Sequence, residues 1–125
     1  MSDLSIYKGK KVFITGHTGF KGTWMTLILK SLGADVRGYA LAPSTEPSHF
    51  NILNLKNDID HIQGDIRDFN SLNNAINDFG PEFIFHLAAQ PLVKESYANP
   101  KDTLDTNIMG SVNLLEAVRN CNTVK

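Results

Sequence analysis

Residues 12–22 constrain this chain more than any other stretch. The apolar run Val12-Phe13-Ile14 leads through Thr15 into Gly16-His17-Thr18-Gly19-Phe20-Lys21-Gly22. Consecutive apolar residues of this kind suit a strand covered on both faces, as in a parallel sheet. Three glycines spaced by three follow at once, and apolar side chains then recur at helical spacing. A strand that turns directly into a helix needs glycine for a tight turn of positive φ and for close backbone approach. The free N–H groups of the helix start then face outward from the strand end, a place suited to the pyrophosphate of a dinucleotide.

The rest of the chain repeats this alternation. Lys11–Thr15 is a buried strand. A helix follows from Gly19 to about Leu32, with Phe20, Trp24, Leu27, Ile28 and Leu32 on one face, expected to be the buried one, and Gly33 placed to end it. The phenylalanines and Trp24 are read as core. Val36–Leu41 is a second strand, Pro43–Pro47 a loop, and Ser48 a cap for a short turn over 50–55. Ile59–Gln63 is a third strand. Asp68 caps a helix with Leu72, Ala75, Ile76 and Phe79 in phase, stopped by Gly80-Pro81. Phe83–Leu87 is a fourth strand, Pro91–Pro100 irregular or a broken helix, and 101–119 a long helix with Leu104, Ile108, Val112, Leu115 and Val118 as its expected buried stripe. The pattern predicts an α/β fold of the Rossmann type, a doubly wound parallel sheet. Thr123-Val124-Lys125 reads as the first step of another strand. The expectation is therefore that residues 1–125 are the N-terminal part of a dinucleotide-binding domain, with a substrate domain and catalytic segment elsewhere.

Net charge is −1 and the pI about 6.4, which gives no electrostatic case for nucleic acid or an anionic membrane. The apolar runs are too short for a membrane span, and Met1–Tyr7 does not read as a leader. The single Cys121 has no internal disulfide partner, and a cytoplasmic setting is the expectation. No Cys/His cluster has metal-ligand spacing, so no metal site is assigned, and no Ser/His/Asp arrangement suggests itself.

In a doubly wound sheet ligands bind outside the carboxyl ends of the strands. Gly16, Asp65 and Ala88-Ala89-Gln90 all fall at such ends. Lys21 either offsets pyrophosphate charge or is a solvated lysine near a helix start. His17 is open to a role confined to hydrogen bonding within the loop. Asp65 is either a turn former or a carboxylate accepting from an adenine amino group. His86 reads as a satisfied core histidine. The usual acid at the end of the second strand, which would hold the adenosine ribose, is missing from Arg37-Gly38-Tyr39-Ala40-Leu41, so NAD and NADP are not distinguished there. Arg37 lies mid-strand, a poor ligand for a 2′-phosphate.

Four segments, Thr15–Gly22, Gly64-Asp65-Ile66-Arg67-Asp68, His86–Val93 and Thr106-Asn107-Ile108-Met109-Gly110, together resemble the extended short-chain dehydrogenase/reductase family, in its branch of nucleotide-sugar epimerases and dehydratases. The resemblance covers nearly all of the chain. A narrower likeness, to dehydratases acting on CDP-glucose, rests on Gly-His-Thr-Gly-Phe-Lys-Gly, on Gly-Tyr-Ala-Leu-x-Pro at 38–43 and on Ala-Ala-Gln-Pro-Leu-Val at 88–93. The resemblance implies NAD as cofactor and transient oxidation at sugar C4. Loss of water across C5–C6 and hydride return to C6 follow, giving CDP-4-keto-6-deoxyglucose for bacterial surface polysaccharide. By matching positions, Gly16, His17, Thr18, Gly19, Phe20, Lys21 and Gly22 surround the pyrophosphate. Asp65 and Ile66 bracket adenine; Leu87, Ala88, Ala89 and Gln90 line the nicotinamide ribose side; Thr106 lies near the cofactor. The family's Tyr-x-x-x-Lys is expected later in the chain. Tyr97 and Lys101 mimic its spacing, but Pro100 interrupts the helix, and no catalytic residue is assigned to this segment. A homodimer is implied for the full protein. An epimerase or dehydratase acting on another nucleotide sugar, and a non-catalytic nucleotide-binding regulator on the same fold, stay open as alternatives.

Overall fold

The structure, a computed structural model, describes residues 3–125. After a 3-10 turn at Leu4–Tyr7 come β1 (Lys11–Thr15), α1 (Phe20–Ser31), β2 (Asp35–Ala40), α2 (His49–Ile52), β3 (Asp60–Gln63), α3 (Phe69–Phe79), β4 (Phe83–His86), α4 (Val93–Ala98) and α5 (Pro100–Leu104). A π turn, Asp105–Met109, carries α5 into α6 (Gly110–Arg119). The sheet order is β3-β2-β1-β4 and every pairing is parallel. This is the expected doubly wound arrangement, with β1 and β2 inside and β3 and β4 at the edges.

Alternation along β1 builds two cores. Val12 and Ile14 pack with Leu29 of α1, Val36 and Phe83 on one side. Phe13 packs with Tyr39, Leu72, Ile76 and Phe79 and with Leu114 and Ala117 of α6 on the other. Helix α3 forms as its periodicity predicts. Asp68 accepts a hydrogen bond from the Ser71 N–H at 3.0 Å, and Gly80, at φ 63°, closes the helix in the left-handed region. Its buried residues are Leu72, Ala75, Ile76 and Phe79. Ser48 caps α2 by accepting from the Asn51 N–H.

Two expected buried faces are reversed. In α1 the residues against the sheet are Gly22, Thr23, Thr26 and Leu29, while Phe20 is 67% exposed and Trp24 49%. A Cβ built on Gly22 would stand 2.0 Å from the Gly16 carbonyl oxygen. The helix start is pressed so closely onto the preceding loop that only small residues fit beneath it; Phe20, Trp24 and Ile28 turn outward, while Leu27 and Leu32 are half-buried. Thr23 and Thr26 satisfy their buried hydroxyls by donating to the carbonyls of His17 and Gly22. The long helix shows the same inversion. Gly110, Leu114 and Ala117 are buried, with a Cβ on Gly110 only 2.6 Å from Ile66. Leu104, Ile108, Val112 and Leu115 are exposed, and of the expected stripe Val118 packs on the core.

Candidate nucleotide-binding groove

Local rules place the glycine loop. Gly16 has φ 78°, and a Cβ there would lie 2.6 Å from the Ala88 nitrogen and 2.7 Å from the Leu87 carbonyl carbon. Both conditions demand glycine. Its N–H donates to the Tyr39 carbonyl at 2.9 Å, which pins the turn to β2. Gly19 is the N-cap of α1, and no side chain caps the helix. The first-turn N–H groups are thus left to an occupant, in the arrangement that favours an anion. A Cβ on Gly19 would meet only the Gly16 oxygen, at 3.4 Å, so this side of the turn is open.

The opening is a groove of about 1090 Å³ along the carboxyl ends of the strands. Gly16, Thr18, Gly19, Phe20, Lys21 and Gly22 line it from the loop, Asp65 and Ile66 from the β3 end, and Leu87, Ala88 and Ala89 from the β4 end, with Thr106 from the π turn. The sites expected from separate parts of the sequence therefore share one rim. At its β3 end the Asp65 carboxylate is gripped by Arg67, whose Nη2 lies 2.7 Å from Oδ2 and whose backbone N–H donates to Oδ1 at 2.9 Å. These hydrogen bonds hold Asp65 below its ordinary carboxyl range.

Two expected site residues do not face the groove. The side chain of His17 is fully buried. Its Nε2 is 2.7 Å from Nδ1 of His61, and the edge of its ring meets Phe50 at 5.2 Å. Burial, then the neighbouring His61, pushes its pKa down to about 4, so it is neutral near pH 7. It fits because β2 carries glycine below it; a Cβ on Gly38 would be 2.3 Å from the ring. His17 thus supports the loop from behind, because its ring is more easily buried against Phe50 and His61 than placed beside an anion. Gln90 also turns away. Its amide donates to Thr103 Oγ1 at 2.9 Å and its Oε1 accepts from the Leu92 N–H at 2.7 Å.

Sequence reasoning passed over several lining residues: Ser44, Thr45 and His49 beyond β2, and Asn107 and Ser111 beyond the π turn's start. Asn107 clasps Gln90 at both backbone groups, accepting from its N–H at 2.8 Å and donating to its carbonyl at 3.1 Å. Its place next to Thr106 was the available signal. At the end of β2 the groove presents small residues and hydroxyls where an acid is usual. Arg37 is committed elsewhere, paired with Asp60 and Asp78 and laid over the Phe79 ring. Tyr97 is 85% exposed on α4 while Lys101 on α5 pairs with Asp105 at 2.8 Å, so the two form no catalytic couple. Among the described residues no group of three potential ligands could hold a metal ion, and no helix is long and apolar enough to cross a membrane.

A parallel sheet ordered 3-2-1-4, helices on both faces, and a glycine cradle opening on the strand ends define a Rossmann-type α/β domain. The family model described as GDP-mannose 4,6 dehydratase matches residues 13–125, and the chain belongs to that family. It is 51% identical over its full length to CDP-glucose 4,6-dehydratase of Salmonella typhimurium, covering 35% of that protein. It is 33% identical over 119 residues to CDP-paratose 2-epimerase of Salmonella typhi, covering 91% of this chain and 35% of the relative. Among solved structures, UDP-glucose 4-epimerase of Thermus thermophilus in complex with NAD superposes with a TM-score of 0.78 at 29% identity, over 88% of this chain and 34% of that one. The expected resemblance is thereby borne out at the level of family and fold. The chain spans about a third of the length of these relatives.

Proposed function

We propose that this chain is the NAD-binding segment of a nucleotide-sugar 4,6-dehydratase acting on CDP-glucose. The observation that carries the reading is the cradle at Gly16, Gly19 and Gly22. Bare backbone and uncapped helix N–H groups face a groove whose other walls are strand ends. The 51% identity to a CDP-glucose 4,6-dehydratase favours CDP-glucose among nucleotide sugars, and the relatives solved with NAD favour that cofactor.

Within this reading Gly16 through Gly22 receive the pyrophosphate, with Lys21 contributing positive charge at the helix start. Asp65 accepts from the adenine amino group. It is ready to do so because Arg67 keeps it ionised. Ile66 supplies an apolar wall against the base, and Leu87, Ala88 and Ala89 let a ribose lie close to the backbone. Thr106 borders the same end of the groove. NAD, when bound, would accept hydride from sugar C4 and return it at C6 after water has left across C5–C6. The chain's own residues bind and orient; none of them is assigned the proton transfers. The homodimer reading is supported by the exposed stripe Leu104, Ile108, Val112 and Leu115, which a second copy would cover. A cytoplasmic setting fits an activated-sugar substrate.

The test is an assay of the full-length protein with CDP-, dTDP-, UDP- and GDP-linked sugars, following formation of a 4-keto product. The expected result is turnover of CDP-glucose with the others slower. Turnover of another nucleotide sugar in preference, or epimer formation without loss of water, would reassign the substrate or the reaction. NAD binding with no turnover of any sugar would favour a regulator.

A further inference from the structure

The β4 end holds a chain of hydrogen bonds whose direction is fixed by counting protons. Thr15 Oγ1 accepts from the N–H of Ala88 at 3.2 Å, and the N–H of Leu87 divides between Oγ1, at 3.1 Å, and the Thr15 carbonyl, at 3.0 Å. A hydroxyl has two acceptor positions and a single proton. With amide hydrogens directed at the oxygen, its own proton goes to the remaining neighbour, Nδ1 of His86, at 2.7 Å. Nδ1 is then an acceptor and the imidazole carries its hydrogen on Nε2. Nε2 lies 3.1 Å from Ser111 Oγ, which in turn donates to the Asn107 carbonyl at 2.8 Å. Each group gives to the next, from β1 through β4 to α6. Asn107 closes the circuit by clasping both backbone groups of Gln90.

We propose that His86 is a positioning residue, a neutral imidazole fixed as the Nε2–H tautomer, which ties the 87–90 loop to the helix behind it and so sets that wall of the groove. A proton on Nδ1 would compete with the amide hydrogens for the Thr15 oxygen, and a bare Nε2 would face a Ser111 hydroxyl whose proton is already given to the Asn107 carbonyl. Burial, with no charged side chain contributing, independently holds His86 below the usual histidine range. The residue therefore orients the loop and moves no proton. Its bearing on a dinucleotide rests on the function proposed above.

The test uses the full chain with ¹⁵N-labelled histidine. The expected spectrum shows His86 as the single Nε2–H tautomer. Thr15→Ser keeps the hydroxyl and keeps that tautomer. Thr15→Val removes it, so the tautomers mix, the Ala88 amide exchanges faster with solvent, and the Kd for NAD rises about tenfold, the worth of roughly one to two hydrogen bonds. A proton on Nδ1 in the wild type would overturn the proposal, as would a Thr15→Val protein with unchanged tautomer and exchange. Should Thr15→Val fail to fold, Ser111→Ala tests the other end: a shifted His86 Nε2 resonance and faster exchange at Gln90 support the proposal, and no change at either overturns it. A wild type showing the Nε2–H tautomer and slow loop exchange without affinity for NAD would sink the proposed function and leave the positioning role standing.

Discussion

Helices α1 and α3 look alike as sequence and pack in opposite ways. Each has a bulky apolar stripe at helical spacing. In α3 that stripe, Leu72, Ala75, Ile76 and Phe79, is the buried one. In α1 the comparable stripe through Phe20, Trp24 and Ile28 faces outward, and Gly22, Thr23 and Thr26 meet the sheet. The difference lies in how near each helix must come. Beneath α3 large side chains fill the space to the sheet, and hydrophobic burial decides the face. The start of α1 is held against the β1–α1 loop, where steric fit overrides burial. A ligand-binding turn thus dictates which side of its own helix is core.

This contrast predicts a graded set of outcomes, with stabilities read by chemical denaturation. Ile76→Ala in α3 removes fully buried hydrocarbon and should cost about 2–5 kcal/mol; a loss under roughly 1 kcal/mol would mean that α3 is not the anchored helix. Gly22→Ala should cost about 1–3 kcal/mol by overpacking, although alanine is the better helix former. A stabilised Gly22→Ala protein would refute the close-approach account of α1. Gly19→Val is different in kind. Its side chain would enter the open groove, so NAD affinity should be lost with the fold intact; unchanged affinity would break the assignment of the groove.

Acid should also separate the two regions. Behind the β1–α1 loop sits neutral His17, whereas α3 rests on hydrocarbon. The His17 pKa of about 4 lies below the ordinary 6.5, so between those values the unfolded chain binds more protons than the folded one. The stability conferred by a neutral His17 is complete above pH 6.5 and is lost progressively as pH falls toward 4. Between pH 7.5 and 5.5 the loss should be about 1 kcal/mol, and it should flatten in His17→Gln. An equal slope in wild type and variant would show that the imidazole is not the sensor. The smallest effects are expected on the outward stripe, where Ile28→Ser should change stability by under about 0.5 kcal/mol. A large loss there would restore the sequence-based choice of face.

The strands, the glycine turn, the Asp68 cap and the Gly80 stop were legible because each is decided by residues within a few positions of one another. The convergence of residues 16, 18–22, 65–66 and 87–89 on one rim was legible through the topology rule for parallel sheets. Other features depend on partners far away in sequence. His17 turns inward toward His61, 44 residues on, and toward a space left by Gly38. Gln90 turns toward Thr103, and the clasp by Asn107 reaches back 17 residues. The faces of α1 and α6 were misread for a related reason. Periodicity locates a stripe, but only the distance to the neighbouring backbone tells whether that stripe fits.

The lack of a side chain at position 38 has an evolutionary corollary. Since even a methyl group there would occupy the space of the imidazole ring, substitution at 38 and at 17 can proceed in one order only. A lineage can first give up the ring and later gain bulk beneath it, whereas the reverse path passes through a clash. Homologues with a larger residue at 38 should therefore carry something smaller than histidine at 17.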